Sequence, residues 1–542
     1  MNFTATCLPY RETNAFSRIV LDYIDQSPAL KPFFEHPVSL HGIEAAIKNR
    51  DQFPTRRDIL VAQLKVQYTS ITTTDAVIRN IESLADKNTY TVTTAHQNNL
   101  FTGPLYFIYK ILHAIKLSDH LNRVMPGKKF VPVFYMGSED ADLEELNHIY
   151  LQNEKLVWNT KQTGAVGRMK VDKELQLVLG RLEGQLAVLP EGDNLVKLLK
   201  DCYSPGLSIA EASFRFINTL FADKGLIVLQ PDNAALKSLM LPVFKDDLLN
   251  QTASGLVENT ALELEKAGYK VQANPREVNL FYLEGDQRNR IEKIMDEWKV
   301  LNRYTNFNEQ QLLDELEQHP ERFSPNVILR GLYQETILPN IAFIGGGGET
   351  AYWLQLKELF RHYAVPFPVL VLRNSFLLID SAFALKTEKL GFTPIDLFQE
   401  EQDLMNKLVR RESKLPTDLQ GTILKLEKIY EELKGQATQI DQGLARHTEA
   451  LKTRVLKQIH ELEKKMLRAE RRKFTDEQRQ LHHIKQHLFP HHGLQERREN
   501  ICYYYARWGK AFLDAVYEHS LALEQEFVVL REIISSSGRS QT

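Results

Sequence analysis

The sequence predicts an α/β chain: a doubly wound parallel sheet, interrupted by two inserted subdomains and followed by a long α-helical coiled coil. Three observations carry this reading. Five short apolar, β-branched runs are each followed by a helix-like pattern, which is how a parallel sheet covered on both faces reads in sequence. Two stretches between those runs, about 150–215 and 275–335, are richer in charge and mixed in pattern. Further on, apolar or small residues recur at alternating intervals of four and three, the heptad signature.

The runs are TYTVTTA at 89–95, KFVPVFYM at 129–136, GLIVLQP at 225–231, NIAFIGG at 340–346 and FPVLVLR at 367–373. The heptad set begins Leu433, Ala437, Ile440, Leu444, His447 and Leu451, and continues through Val455, Ile459, Leu462, Met466 and Ala469. No proline falls between Leu419 and Thr475, although Gly435 and Gly443 weaken the regularity. A helix that long needs a partner for its stripe, on the same chain or on a second subunit. The aromatic stretch ICYYYARWGKAF at 501–512 is expected to pack back on the sheet. The expected division is therefore 1–384 for the α/β core with its insertions, 385–485 for the coiled coil, and 486–542 for a returning segment.

Composition excludes several classes. The chain has 542 residues, 43% apolar and 25% charged, with a formal net charge of −3, so nothing asks for a nucleic-acid partner. No run approaches the roughly 20 apolar residues of a membrane helix, and MNFTATCLPYRETNAF is not a secretory start. A cytoplasmic location is expected. The three cysteines, Cys7, Cys202 and Cys502, form no C-x-x-C pair. His482, His483, His487, His491 and His492 cluster, but no carboxylate or thiolate stands at a familiar ligand spacing, so no metal is expected.

The chemistry is expected where strands end, because open parallel sheets bind ligands there. After the first run come His96, Gln97 and Asn98, then Thr102-Gly103-Pro104, where Thr102 is placed to cap a helix carrying Lys110. After the second come Glu139, Asp140 and Asp142, which can hold an amine, a hydroxyl or Mg²⁺, or act as a base. After the fourth, Gly345, Gly346, Gly347 and Gly348 lead into Glu349. This is neither a full G-x-G-x-x-G nor a Walker loop, but its backbone is suited to an anion. After the fifth come Arg373 and Ser375, and arginine suits a bidentate grip on a carboxylate. The segment LFPHHGLQER, with His492, Gln495 and Arg497, follows the coiled coil and is placed to complete a pocket.

Five pieces in this order, HQNNLFTGPLYFIYK, VPVFYMGSEDADLEELNH, ILPNIAFIGGGGETAYWLQL, VLRNS and LFPHHGLQER, resemble the cysteine-adding enzymes of bacillithiol biosynthesis over almost the whole chain. The resemblance implies a Rossmann-like core with two connecting insertions, a coiled coil that mediates homodimerisation, and the last step of bacillithiol synthesis. In that step the carboxyl of L-cysteine becomes amide-linked to the amine of glucosaminyl-malate. Such a site needs an acceptor for the ammonium proton, for which Asp140, Glu139 and His96 are the candidates. It also needs cations or helix N-termini for the two malate carboxylates, for which Arg373, Arg497 and the glycine loop serve. The cysteine carboxyl must carry a leaving group, which implies a nucleotide or a phosphate; these residues leave the activating cosubstrate open, with ATP, ADP or another carboxyl-activating nucleotide as the candidates. The chain departs from the family where Ala95 and His96 replace a glycine and a glutamine, and where Ala141 replaces a frequent histidine whose role His96 could take over. Gly347 and Gly331 likewise stand where proline is usual. Two other classes fit the same residues: another nucleotide-dependent acyl- or nucleotidyl-transfer enzyme with a class I synthetase-like core, and a non-catalytic coiled-coil scaffold.

Overall fold

The computed structural model describes residues 2–413 and 418–533. Its centre is a five-stranded, all-parallel sheet made from the five apolar runs: β1 (Thr89–Gln97), β2 (Lys129–Gly137), β3 (Ile227–Leu229), β4 (Asn340–Gly345) and β5 (Val369–Leu372). The strand order is β5-β4-β1-β2-β3. Chain order reverses between β1 and β4, which makes their carboxyl ends the topological switch point where a crevice opens. β1 and β2 pair over nine positions, from Thr89↔Lys129 to Gln97↔Gly137. The buried threonines of β1 fix the other side. Thr91 and Thr93 donate to Asn340 Oδ1 at 3.1 and 2.8 Å, and Thr94 donates to the Ile344 carbonyl at 2.8 Å.

Helices next to β1 and β4 carry part of the crevice wall. α1 (Tyr106–Val124) follows β1, and α2 (Val327–Ile337) precedes β4, capped by the Asn326 side chain. α3 (Gly347–Trp353) follows β4 directly. The expected cap at Thr102 is not formed. α1 opens only at Tyr106 with no side-chain cap, and the buried Thr102 hydroxyl has no partner. Phe101, Thr102 and Gly103 take φ of 46°, 69° and 61°, so the chain turns before the helix can start. A side chain at Gly103 would meet Asn99 at 2.6 Å, which reserves that position for glycine.

Between β2 and β3 lie a hairpin (His148–Leu151 with Glu154–Val157) and the helices Lys173–Leu186, Gly192–Cys202 and Ile209–Phe221. Before β4, a five-stranded antiparallel sheet spans 280–325 and leans over the crevice. A third sheet joins Asn2–Pro9, Glu526–Ile533 and Ser375–Ile379, tying the described start of the chain to its described end.

The heptad stretch is helical, but it is not one helix. α4 (Gln420–Ile440) and α5 (Gln442–Arg471) meet at Asp441, which is extended (φ −156°, ψ 133°) and caps α5 by accepting from the Gly443 amide. The two helices fold back on each other, with Lys434–Glu449 and Lys452–Glu431 ion pairs across the hairpin at 2.7 Å each. The stripe expected to run from Leu433 to Ala469 on one helix is thus split between two. Ile440 stands at the tip, 82% exposed. Among the described residues no helix is long and apolar enough to cross a membrane.

Candidate active site

A cavity of about 710 Å³ opens at the switch point. β1 contributes His96 and Gln97, α1 contributes Tyr106 and Lys110, and the end of β2 contributes Tyr135 and Asp140. Gly346, Gly347, Gly348, Glu349 and Tyr352 come from the start of α3, and Arg373 follows β5. The inserted sheet and α2 supply Phe281, Arg288, Asn326 and Arg330, and Arg497 arrives from beyond the coiled coil. Five cationic side chains face two carboxylates, so the cavity is built for an anionic ligand.

Asp140 is held from three sides. Gln97 Nε2 donates to its Oδ2 at 2.8 Å, and Arg330 and Arg288 approach to 3.5 and 3.9 Å. Burial pushes its carboxyl up, but the two guanidinium groups and the amide outweigh burial and hold it below the usual carboxylate range. It is therefore ionised at neutral pH and available to an ammonium. His96 is the opposite case. Its ring packs edge-on against Tyr106 and Phe107 and makes no hydrogen bond. Burial, then Lys110, Arg373 and Arg330, drives its pKa well below that of a free histidine. It is neutral, with an unused nitrogen lone pair. Both groups are pushed down, which leaves Asp140 charged and His96 neutral, and those two states suit different roles.

The glycine loop works differently from the expectation. Glu349 turns back and accepts from the Gly346 amide at 2.8 Å, so one loop donor is already used, and Glu349 also pairs with Lys110. None of the four glycines has a positive φ. Space accounts for two of them. A side chain at Gly345 would meet Phe343 at 2.9 Å and one at Gly347 would meet Val20 at 3.2 Å, whereas Gly348 faces open space. Lys110 is buried and donates to the Ala95 carbonyl at 2.9 Å, which locks α1 to the end of β1. Arg373 is buried as well. It donates to the Asn374 carbonyl, to Ser375 Oγ at 3.1 Å and to Glu496 Oε1 at 2.7 Å, and it lies over the Tyr106 ring.

Several expected residues stand outside the cavity. Glu139 turns away from it into a buried ion pair with Lys237, which is also held by Asp232 at 3.1 Å and the Glu321 carbonyl at 2.9 Å. Asp142 caps the short helix Leu143–Leu146. Asn98 and Thr102 are buried beside a neighbouring void just large enough for one water, and Gly103 is bound through its carbonyl to Asn500. Gly345 ends β4. Ser375 receives Arg373, and Gln495 pairs with both backbone groups of Leu378 at 3.0 and 3.2 Å, so both hold the frame. His492 is exposed at φ 62°. The other histidines disperse: His482 pairs with Glu401 and His487 stacks on Phe383. Ala141 does not line the cavity, whereas His96 does.

Arg288 and Arg330 were missed by the sequence reasoning. Arg288 sits in a charged, alternating strand, QRNRIEKI, that reads as an ordinary solvated face. Its guanidinium instead lies over Phe281, donates to Ser324 Oγ at 3.0 Å and the Pro325 carbonyl at 3.1 Å, and reaches into the site. Arg330 gave a weak signal, since it lies in the helix leading into the glycine-loop strand.

Two family models together match nearly the whole chain. The N-terminal Rossmann-like domain of bacillithiol biosynthesis BshC matches residues 3–374, and the C-terminal coiled-coil domain of the same family matches 376–532. A relative in Flavobacterium johnsoniae, described as "Putative cysteine ligase BshC", is 38% identical over 97% of this chain and 99% of its own length. Relatives with the same description in Cytophaga hutchinsonii and Bacillus cereus are 37% and 26% identical, covering 92% and 95% of this chain and 94% and 98% of their own lengths. With both of the family's domains matched in order along the chain, this protein belongs to the BshC family of bacillithiol biosynthesis.

Proposed function

We propose that the chain is a ligase that joins the carboxyl of L-cysteine to the amine of glucosaminyl-malate, the last step of bacillithiol synthesis. The observation that carries this reading is the cavity at the switch point, where five cations and two carboxylates line the wall and one of the carboxylates, Asp140, is held ionised by Arg330 and Arg288. Malate brings two carboxylates for the cations, and the sugar brings one ammonium for Asp140. Arg330 and Arg288 belong to the inserted elements that overhang the sheet, so they close on the substrate from above. Gln97 keeps Asp140 in place.

Amide formation needs the amine neutral and the acyl carbon carrying a leaving group. The ammonium held by Asp140 releases one proton to solvent, the freed lone pair attacks the activated cysteine carbonyl, the nitrogen gives up a second proton to the site's base, and the phosphate or nucleotide on the carboxyl departs with the bonding pair. Asp140 is too weak a base to deprotonate the amine well, because its carboxyl is held low. His96 is neutral and uncommitted, and we assign it the proton. Burial is the larger cause of the low His96 pKa and the field of Lys110, Arg373 and Arg330 the smaller; an incoming dianion offsets the second, which makes the histidine a better base than in the empty site. The free amides of the glycine loop are placed to stabilise the developing oxyanion.

The test is complementation in a bacterium deleted for its own family member. The wild-type gene is expected to restore bacillithiol and clear accumulated glucosaminyl-malate, and the Asp140→Asn gene is expected to fail while its product melts within a few degrees of wild type. Normal bacillithiol in the Asp140→Asn strain would remove Asp140 from the mechanism. No bacillithiol with the wild-type gene would overturn the function.

A further inference from the structure

Beside the main cavity lies a smaller chamber of about 200 Å³, bounded by Asn99, Tyr106, Glu145, His148, Tyr150 and Arg497 among others. Tyr106 and Arg497 line both spaces, so the two share a wall. Gln97 links them again, because its Nε2 donates to Asp140 Oδ2 at 2.8 Å and lies 3.5 Å from Glu145 Oε2. The chamber is smaller than the roughly 300 Å³ at which sites for larger organic ligands begin.

Its walls carry both signs of charge with open valences. Glu145 supplies a carboxylate, and Arg497 and Arg498 supply guanidinium groups with no ion pair among the described residues. Arg498 lies over the Tyr150 ring at 3.9 Å with its Nε buried and unpartnered. Asn99 is only 5% exposed, and its Oδ1 is buried without a partner. Buried polar groups are normally paired, so unpaired ones around a small space are what a ligand would satisfy. The remaining wall, Pro104 and Ile149, is apolar.

We propose that this chamber is the amino-acid subsite, taking a zwitterionic α-amino acid with a small side chain. The ammonium lies against Glu145, the carboxyl points to Arg497 at the shared wall, and the side chain rests on Pro104 and Ile149. This rests on the ligase reading and adds a division of labour to it. A ligase that joins an amino acid to a second amine must keep the amino acid's own amine from reacting. Glu145 holds that amine as a charged ammonium, apart from Asp140, while the carboxyl reaches the boundary where the sugar amine waits.

The test is titration calorimetry of the full chain with L-cysteine under reductant, L-alanine and malate, with and without magnesium ATP. Glu145 is solvent-exposed, so Glu145→Gln should fold normally. Glu145→Gln is expected to weaken cysteine binding at least tenfold and leave malate binding unchanged, and Arg330→Met is expected to do the reverse. Cysteine affinity unchanged by Glu145→Gln, or cysteine displaced competitively by malate, would overturn the chamber as the amino-acid subsite. Malate bound but no amino acid bound under either condition would also overturn it, while leaving the anion cavity intact. Alanine bound through Glu145 with cysteine excluded would support the chamber and instead overturn cysteine as the substrate.

Discussion

His96 and His113 show how the same residue type can serve chemistry or stability. Both are buried and neutral, but His113 is fully bonded. Its Nδ1 accepts from the Asn374 amide at 3.0 Å and its Nε2 lies 2.9 Å from the Ala522 carbonyl, which joins α1 to the returning segment. Burial lowers its pKa to about 4. The folded state therefore binds fewer protons than the unfolded chain between pH 6.5 and about 4. The stabilising contribution is complete above pH 6.5 and is lost as pH falls through this window, a loss of about 3 kcal/mol at the acid end. Melting temperatures are expected to drop across that range, and His113→Gln is expected to flatten the drop, at some cost in stability at pH 8. An equally steep drop in the variant would place the acid sensitivity elsewhere. For His96, which has no bonds to lose, the linked quantity is binding. A dianion that raises its pKa draws in a proton as pH falls toward that raised value, so affinity rises in acid, whereas at higher pH His96 stays neutral and free to act as a base. Calorimetry of malate binding in two buffers of different ionisation enthalpy is expected to reveal proton uptake, and His96→Gln to abolish it. Uptake that persists in His96→Gln would reassign the proton. The sequence marks His96 as a candidate by its place at a strand end, but not His113, whose partners lie 261 and 409 residues away.

The α4–α5 hairpin illustrates what periodicity can and cannot carry. Ile440 and Leu444 are four apart, the interval a continuous helix would use, so the stripe stays in phase across a chain reversal. Only Asp441 and Gly443, turn and cap residues, hint at the break. Asp441→Ala removes the cap of α5 and is expected to cost about 1 kcal/mol, read as earlier loss of hairpin helicity in thermal melts. No change in the melt would mean the cross-hairpin ion pairs alone set the turn. The hairpin also keeps leucines exposed: Leu433 at 46%, Leu444 at 41% and Leu462 at 48%. They are the surface we assign to the homodimer that the family resemblance implies. Light scattering of a Leu433→Glu, Leu462→Glu double variant is expected to give monomer from a wild-type dimer. An intact dimer would put the contact on another face. Charges at Ile440, by contrast, sit at an exposed tip and are expected to do little.

Across the whole molecule, the site is assembled from five distant stretches, and the frame that brings them together is separable from the site. Arg50 is the clearest frame residue. It donates to Glu335 Oε2 at 2.8 Å and to the carbonyls of Glu335 and Asn340, all buried beneath β4. Arg50→Met leaves the buried Glu335 carboxyl without its cation, so a loss of about 3–5 kcal/mol is expected in denaturant titration. Malate affinity at low temperature should be unchanged, and affinity falling with stability would mean the frame and the site are coupled. The residues at the strand ends, His96, Gln97, Asp140, Gly346 and Arg373, were legible because a parallel sheet fixes where ligands go. Arg288 and Arg330 were not, because no local pattern says that an inserted sheet folds back over the crevice. Glu139 was misplaced for the related reason that its partner, Lys237, lies 98 residues away in sequence. The most direct measurement is a crystal structure of the full chain with glucosaminyl-malate. The malate carboxylates are expected within hydrogen-bond distance of Arg330 and Arg288 or Arg373, with the sugar amine within 3.5 Å of Asp140, about the outer limit of a hydrogen bond. The amine lodged beyond reach of Asp140 and His96, or the substrate bound away from the end of β1 and the glycine loop, would contradict the proposed site.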